Sequence, residues 1–209
     1  MLIGIVGKMG TGKDYILTNI IIPILKDKNE QYRTYIQLSF ADQIKVNVMT
    51  KNNIEFDQVY VNKTHETRRL LQTEGTENGR DILGENIWIN YFDNWKKVHE
   101  SRGIHIIFCC DVRFKNEYDY IKNNDGIIIK IVAPIRNQTR LQNESKGDLD
   151  TMKIISSHIS ECDLDNLNDL MFDLVIENDP GLDLKQYIPK INNLLKIKSE
   201  RYPSMFSLN

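Results

Sequence analysis

The sequence predicts an α/β protein in which a central, mainly parallel sheet of about five strands is flanked by helices. Three observations favour this class: short continuous apolar runs typical of buried parallel strands, apolar residues at helical spacing between those runs, and the alternation of the two along the chain. Because a chain of 209 residues without a visible linker or repeat suits one α/β domain, we expect a single domain over residues 1–209.

The predicted elements follow in chain order. We predict strands at 2–6, 34–40, 104–110, 127–132 and 172–176, and helices at 13–25, 41–51, 85–100, 115–122 and roughly 184–198. The strands are apolar runs, whereas the helices repeat apolar residues every three or four positions. Two polar insertions remain: 52–84 has no clear strand, and 134–165 is irregular by pattern. Such segments are candidates for binding or mobile subregions.

Charge and composition exclude several classes of partner. The formal net charge is −2, with 27 basic residues scattered among 29 acidic ones, so we expect neither a nucleic-acid partner nor a membrane anchor. No run approaches 18 apolar residues. The three cysteines form neither a closed disulfide set nor a zinc spacing, which indicates a reduced, cytoplasmic protein. The basic residues could still converge on one small anionic ligand.

A glycine-rich loop directly after the first strand supplies the strongest signal. Residues 7–14 read GKMGTGKD and match the G-x-x-x-x-G-K spacing of the Walker A loop. In such a loop, backbone N–H groups and the following helix N-terminus face phosphate oxygens, and the lysine reaches the β- and γ-phosphates. We predict that ATP is bound by Gly7, Lys8, Gly10, Thr11, Gly12, Lys13 and Asp14. The alternative is a glycine turn between a strand and a helix.

Two carboxylates are candidates for binding Mg²⁺. Asp14 stands where a Walker A loop usually has a Ser or Thr whose hydroxyl binds the metal. Asp111 follows the predicted strand 104–110, and the carboxyl ends of core strands are where α/β sheets place ligand-binding groups. Alternatively, Asp14 caps the helix start and Asp111 belongs to an ordinary turn at the strand end.

Three arginines are candidates for stabilising a transferring phosphate, together with Lys13. Arg113 comes shortly after Asp111, and Arg136 and Arg140 are four residues apart, so a helix would place the last two on one face. There they would close over the phosphates. The alternative for Arg136 and Arg140 is a solvated surface pair.

Motifs spread along the chain carry a family resemblance. They are the ending GKD at 12–14, SFADQIK at 39–45, RLLQTEGTENGR at 69–80, NIW at 86–88, DVRFKNE at 111–117 and HISE at 158–161. With these motifs the chain resembles the deoxynucleoside monophosphate kinases of phages and large viruses. Gln43 is a departure, because proline is usual at that position of the family.

The resemblance implies transfer of phosphate from ATP, with Mg²⁺, to a deoxynucleoside monophosphate on a P-loop nucleoside monophosphate kinase fold. It further implies an acceptor-binding region at 52–90, a lid-like region at 134–165 and a homodimer. Lys45, Arg68, Arg69 and Arg80 are the candidates for the acceptor phosphate, since a guanidinium matches phosphate oxygens in a bidentate fork. Gln72, Thr76 and Glu77 offer polar groups to the base or sugar.

Four further residues have two interpretations each. Trp88 would stack on a base, or else belongs to the core with its helical neighbours. Asp42 would orient Lys45 from the same helix face, or else cap the helix. His158 and Glu161 would orient lid groups, or else are structural.

Two other functions compete with the nucleotide kinase. Animal-type phosphomevalonate kinase shares the Gly-Lys-Asp ending and resembles this chain at 160–166 and 175–178, but it has no good counterpart of 69–88. The second alternative is a non-catalytic ATP-binding module. We favour the nucleotide kinase because its resemblance runs nearly end to end.

Overall fold

The structure is a computed structural model that describes residues 1–28, 34–157 and 159–201. These residues divide into two compact units, one formed by the described residues up to 37 and from 104 onward, and the other by 38–103. His158, expected to orient lid groups, lies outside the described residues.

The first unit contains a five-stranded parallel sheet, which confirms the predicted fold class. Its strands are β1 Leu2–Val6, β2 Tyr35–Gln37, β3 Ile106–Val112, β4 Ile127–Val132 and β5 Leu174–Glu177. The order is β2-β3-β1-β4-β5, and every neighbouring pair is parallel. Because β1 lies between β3 and β4, the chain leaving β1 emerges at the switch point, where α/β sheets bind ligands.

Helices cover the sheet of the first unit. They are α1 Lys13–Ile16, which continues through a π-helical segment Leu17–Ile21 into α2 Ile22–Lys28, then α8 Lys115–Asn123, α9 Pro134–Glu144, α10 Leu149–Ser157, α11 Ile159–Cys162 and α12 Ile188–Arg201. Short 3₁₀ segments lie at Asp169–Met171 and Leu184–Tyr187. Ile5, Ile16, Phe108, Ile129 and Ile191 belong to one buried cluster formed by strands and helices.

Three predictions about the first unit need correction. The strand predicted at 34–40 spans only 35–37, and the strand predicted at 104–110 spans 106–112, so Asp111 lies inside β3 near its carboxyl end. The segment 134–165 is largely helical, not irregular. None of the residues in its three helices is buried. The segment therefore lacks the buried apolar stripe on which helix prediction depends.

The second unit is helical. Its helices are α3 Asp42–Asn52, α4 Phe56–Tyr60, α5 His65–Gly75, the π-helical Thr76–Arg80, α6 Asp81–Leu83 and α7 Ile87–Glu100. The segment 52–84, for which the pattern indicated no clear strand, consists mostly of helices. The buried residues of α5 are Thr67 and Glu74, which are polar, so the hydrophobic pattern of this stretch is weak.

A buried carboxylate joins α3 to α5 in the second unit. Glu74 is 4% exposed and accepts hydrogen bonds from Asn47 (2.8 Å) and Lys51 (2.7 Å) on α3, and from Asn78 (3.2 Å). Burial opposes the ionisation of Glu74, but these donors outweigh it and hold the pKa of Glu74 below its ordinary value. The network fixes the helices that carry the predicted acceptor-binding residues.

No helix among the described residues is both long and apolar enough to cross a membrane.

Candidate phosphate-binding site

The loop between β1 and α1 has a backbone that only glycine adopts readily. Gly10 and Gly12 have φ angles of 81° and 83°, in the left-handed region. A Cβ atom at Gly12 would lie 2.3 Å from Nδ2 of Asn178, so a side chain is excluded there by contact as well as by conformation. The helix begins directly after the loop, with the Ile16 N–H donating to the Gly12 carbonyl at 2.9 Å.

Lys13 is held against the loop by its ammonium group. Nζ donates to the carbonyl oxygens of Gly7 at 2.7 Å and Lys8 at 3.0 Å. Burial lowers the pKa of Lys13, the positive charge of Arg113 lowers this pKa further, and nearby carboxylates oppose the shift without reversing it. The lysine is thus positioned beside the loop before any ligand arrives.

The carboxyl end of β5 supports both the loop and α9. Asn178 is 4% exposed, and its Nδ2 donates to the Thr11 carbonyl at 2.8 Å. Asp179, also buried, accepts from the backbone N–H groups of Ile135 and Arg136, each at 3.1 Å. These contacts fix the loop and the N-terminus of α9 to one strand end.

A single carboxylate draws the loop and two arginines together. Glu161 accepts from the Met9 backbone N–H at 3.2 Å, from Arg113 Nη1 at 3.2 Å and from Arg140 Nη2 at 3.4 Å. The Glu161 side chain is 7% exposed and that of Arg140 is 12% exposed. Next to this cluster, Lys8 forms an ion pair with Asp165 at 2.7 Å. One loop N–H group and two guanidinium groups therefore converge on one negative charge.

The three predicted arginines do not behave alike. Arg113 and Arg140 meet on Glu161, whereas the Arg136 side chain is exposed and forms no ion pair among the described residues. Arg136 and Arg140 do share α9, as the spacing predicted. Only one of this pair, however, is directed to the loop.

Asp14 and Asp111 both lie close enough to Cys110 to affect its ionisation. Burial raises the pKa of the Cys110 thiol, and the charges of Asp14 and Asp111 raise it further. Asp14 also accepts from Gln37 Nε2 at 3.3 Å, and Asp111 accepts from the Cys109 thiol at 3.1 Å. Asp14 is not the N-cap residue, which is Gly12, but it is the acidic residue of the first turn of α1, so the alternative of a charge at the helix start stays open.

These two carboxylates suit Mg²⁺ as a donor set. Magnesium is commonly held by one or two carboxylates plus substrate phosphates, with water completing the octahedron. Across the described ranges, no group of three or more His, Cys, Asp or Glu side chains is arranged to hold a metal ion by protein ligands alone. Asp14 and Asp111 are thus the candidates to hold such an ion together with phosphate oxygens and water.

A cavity of about 330 Å³ adjoins the loop. Val6, Val112, Val132 and Leu164 supply apolar walls, and Lys8, Arg113, Glu161 and Asp165 supply charged groups. The cavity thus lies where the carboxyl ends of the central strands, the loop and residues 160–165 come together.

In the second unit, Asp42 and Lys45 lie on one helix face, as their spacing predicted. Asp42 accepts from Lys45 Nζ at 2.9 Å, from the Ser39 backbone N–H at 2.7 Å and from the Tyr60 hydroxyl at 3.2 Å. Lys45 Nζ also lies 4.4 Å from the centre of the Tyr60 ring. Burial, then the charge and hydrogen bond of Asp42, raise the pKa of Tyr60. Asp42 therefore orients Lys45 and also closes the turn before α3.

The other residues predicted to bind an acceptor are mostly exposed. The exposed residues are Arg68, Arg69 and Gln72 of α5 and Thr76 and Glu77 of the π-helical segment that follows it. Arg80 is half-buried. Trp88 is 2% exposed and its indole N–H donates to the Gly75 carbonyl at 2.7 Å, so the core interpretation describes it and base stacking does not.

Sequence reasoning assigned no site role to Asn178, Asp179 or Glu117, and gave Glu161 only a general one. Glu117 is buried and accepts from the backbone N–H groups of Arg113 (2.8 Å) and Phe114 (3.1 Å). Its position three residues into the helix start is a capping signal. Asn178 and Asp179 follow a core strand, and the argument that singled out Asp111 applies equally to them.

Together, the fold and this site define an α/β protein with a phosphate-binding-type loop at the carboxyl end of its central strand. No protein family model matches the chain. A protein of Acanthamoeba polyphaga mimivirus described as "Putative deoxynucleotide monophosphate kinase" is 29% identical over 153 residues, which cover 64% of this chain and 75% of that protein.

Among solved structures, shikimate kinase from Aquifex aeolicus vf5 is similar at a TM-score of 0.42 and 12% identity, over 96% of this chain and 98% of that one. A likeness at this level supports no inference about this protein.

Proposed function

We propose that the protein is an ATP-dependent kinase that transfers the γ-phosphate to a deoxynucleoside monophosphate, giving a deoxynucleoside diphosphate and ADP. The observation that carries the proposal is the convergence of the Met9 N–H, Arg113 and Arg140 on one carboxylate beside Lys13. Such donors stabilise the charge of a transferring phosphoryl group. The mimivirus relative named above supports the choice of acceptor.

On the donor side, the loop residues 7–14 bind the ATP phosphates. The N–H groups of Gly10 and Gly12 and the Lys13 ammonium neutralise the phosphate oxygens, while the Thr11 N–H donates to the Lys8 carbonyl at 3.3 Å. Asn178 maintains the loop conformation through the Thr11 carbonyl. Mg²⁺, when bound by Asp14 and Asp111, would supply further neutralisation of the β- and γ-phosphates.

Arg113 and Arg140 stabilise the transition state. Both guanidinium groups are held near the loop, Arg113 with help from Glu117, which accepts its backbone N–H. Arg136, exposed on the same helix as Arg140, joins them only after a movement of its side chain. Lys13, Arg113, Arg136 and Arg140 remain the proposed catalytic set.

On the acceptor side, Lys45, Arg68, Arg69 and Arg80 bind the monophosphate. Lys45 is already oriented by Asp42, whereas Arg68 and Arg69 are exposed and adapt to the ligand. Gln72, Thr76 and Glu77 contact the base or sugar. We leave Trp88 out of this set because it is buried.

The chemistry needs no general base. A monophosphate is largely ionised near pH 7, since its second pKa is about 6. One of its oxygens attacks the γ-phosphorus, the bond from that phosphorus to the β–γ bridging oxygen breaks, and ADP leaves with the electron pair. The protein contributes position and positive charge.

An acceptor panel tests the proposal. Purified protein with MgATP is given dAMP, dGMP, dCMP, dTMP or phosphomevalonate, and ADP formation is followed. We expect ADP release that depends on at least one deoxynucleoside monophosphate. Release with phosphomevalonate alone, or ATP binding without acceptor-dependent release, would contradict it.

The homodimer expected from the resemblance stays a prediction, which analytical ultracentrifugation would test.

A further inference from the structure

Residues 159–165 contact the phosphate-binding loop through two carboxylates, those of Glu161 and Asp165. We call this segment the strap. Glu161 occupies the donors around Met9, and Asp165 pairs with Lys8. Both pairs join residues far apart in sequence, 152 positions for Met9 and Glu161 and 157 for Lys8 and Asp165. The strap therefore brings negative charge to the place where a phosphate-binding loop needs an anion.

The donors around Glu161 are those that a phosphate would use. A backbone N–H of a glycine-rich loop and two guanidinium groups match phosphate oxygens in number and sign. The carboxylate of Glu161 also counteracts the lowering of the Lys13 pKa, so it acts electrostatically on the loop lysine as well. The Met9 N–H donates to one acceptor at a time, so a phosphate that takes this donor must displace the Glu161 carboxylate, and the two negative charges repel each other.

The strap is attached mainly by polar contacts, including the Lys115 N–H that donates to Asp163 at 2.7 Å, and Leu164 is its buried apolar side chain. The 330 Å³ cavity lies beneath it, lined by Ser160, Glu161, Leu164 and Asp165 of the strap and by Gly7 of the loop. Helix α11 of the strap has four residues and leaves Ile159 58% exposed. A segment held mainly by polar contacts, with space below it, moves at lower cost than a close-packed one.

We propose that Glu161 is an internal substitute for phosphate, and that the phosphates of a nucleotide displace the strap from the loop as they bind. This inference rests on the proposed function and adds a mode of regulation to the same site. In the absence of ligand, Glu161 holds Arg113 and Arg140 in place and prevents their repulsion. When the nucleotide arrives, its phosphates take over these donors and release the strap.

If Glu161 competes with phosphate for these donors, its removal should change anion affinity in the opposite direction to the removal of a residue that only positions the arginines. Replacing Glu161 by Gln removes the competing charge at nearly constant size. Because the carboxylate competes with the anion for charge-assisted hydrogen bonds, loss of the competitor is expected to tighten the binding of an inorganic anion about tenfold. If Glu161 only positioned the arginines, its loss would weaken binding.

The test is calorimetric titration of the full chain with inorganic tripolyphosphate. We expect Glu161→Gln to bind about tenfold more tightly than the unmodified protein. Asp165→Asn, which frees the other end of the strap without touching the arginines, should tighten binding by a smaller factor. Glu144→Gln removes an equal charge from an exposed position of α9 and should leave the affinity unchanged.

Cys162 gives a second readout of strap movement. It is half-buried in α11, next to Glu161, while Cys109 and Cys110 are buried in β3 with raised thiol pKa values. Modification of Cys162 by neutral iodoacetamide should therefore accelerate severalfold when tripolyphosphate binds, and should be fast in Glu161→Gln without it.

Unchanged or weaker binding by Glu161→Gln, or protection of Cys162 by tripolyphosphate, would overturn the inference and leave the proposed function standing. Absence of tripolyphosphate and ATP binding by the unmodified protein and by Glu161→Gln would instead overturn the proposed function.

Discussion

The basic residues near the loop and those of the second unit differ in how far they are organised without ligand. Lys8, Arg113 and Arg140 each form an ion pair with a carboxylate of the strap. In the second unit, Lys45 pairs with Asp42, but Arg68 and Arg69 are exposed and form no ion pair among the described residues.

This difference indicates two modes of anion binding. Around the loop, the donors already converge on one carboxylate, so in the function we propose a phosphate would replace that carboxylate with little rearrangement of the donors. On α5, in the same proposal, the arginines would gain order only with the ligand, and binding there would cost side-chain entropy. Substitutions near the loop should therefore affect chemistry most, and substitutions in the second unit should affect acceptor affinity.

The largest effect is expected for Lys13→Ala. Loss of the loop ammonium, which is held at 2.7 Å from the Gly7 carbonyl, should lower turnover by about 10²–10³, the cost of removing one transition-state donor. Steady-state ADP formation measures it. Lys26→Ala, an exposed lysine of α2, is the matched control. Near-normal turnover of Lys13→Ala would remove the loop from the mechanism.

Gly12→Ala should be the next most harmful change. The left-handed φ of 83° costs an alanine about 1–2 kcal/mol, and the new Cβ meets Asn178 at 2.3 Å. We expect the free energy of unfolding to fall by about 2–4 kcal/mol, measured by urea denaturation. Gly147→Ala separates the two causes, because Gly147 has φ 81° and no atom within 4 Å of its Cβ position. Equal losses in both variants would contradict the Asn178 contact.

Arg80→Ala tests whether the second unit binds the acceptor. Removing one charge-assisted contact should raise the Michaelis constant of the acceptor about tenfold and change that of ATP little. The measurement is initial rate against each substrate with the other saturating. Arg102→Ala, on an exposed turn of the same unit, should change neither. An effect confined to ATP would move Arg80 to the donor side.

The smallest effect concerns the stability of the second unit. Because the pKa of Glu74 is lower in the folded unit than its ordinary value of about 4.3, the Glu74 network contributes fully above that value and loses its contribution as the pH falls through the lower folded pKa. Glu74→Gln should cost about 1 kcal/mol at pH 7 and less at pH 3, by urea denaturation. Glu77→Gln, which is exposed, should show no such pH dependence.

The loop was predictable because its determinants are local. A strand, glycines at the left-handed positions and a following helix are all encoded within 2–16, and the structure has each of them. The pairing of Asp42 with Lys45 could be predicted in the same way, because residues three apart lie on one face of a helix.

The contacts that organise the site were not predictable in this way. Asn178 reaches the loop across 167 positions and Glu161 across 152, and no pattern in a single sequence encodes such an approach. The helices within 52–84 and 134–165 were missed because they bury few apolar side chains. Trp88 could be assigned to core or ligand only once its burial was known.

Transfer of labelled phosphate is the most direct test of the proposed kinase activity. The protein is incubated with ATP labelled at the γ-phosphorus and with each deoxynucleoside monophosphate, and the products are separated by chromatography. We predict that the label appears in a deoxynucleoside diphosphate, and that Lys13→Ala reduces this product by about 10²–10³. Label found only in inorganic phosphate, or retained in ATP with every acceptor, would contradict the account.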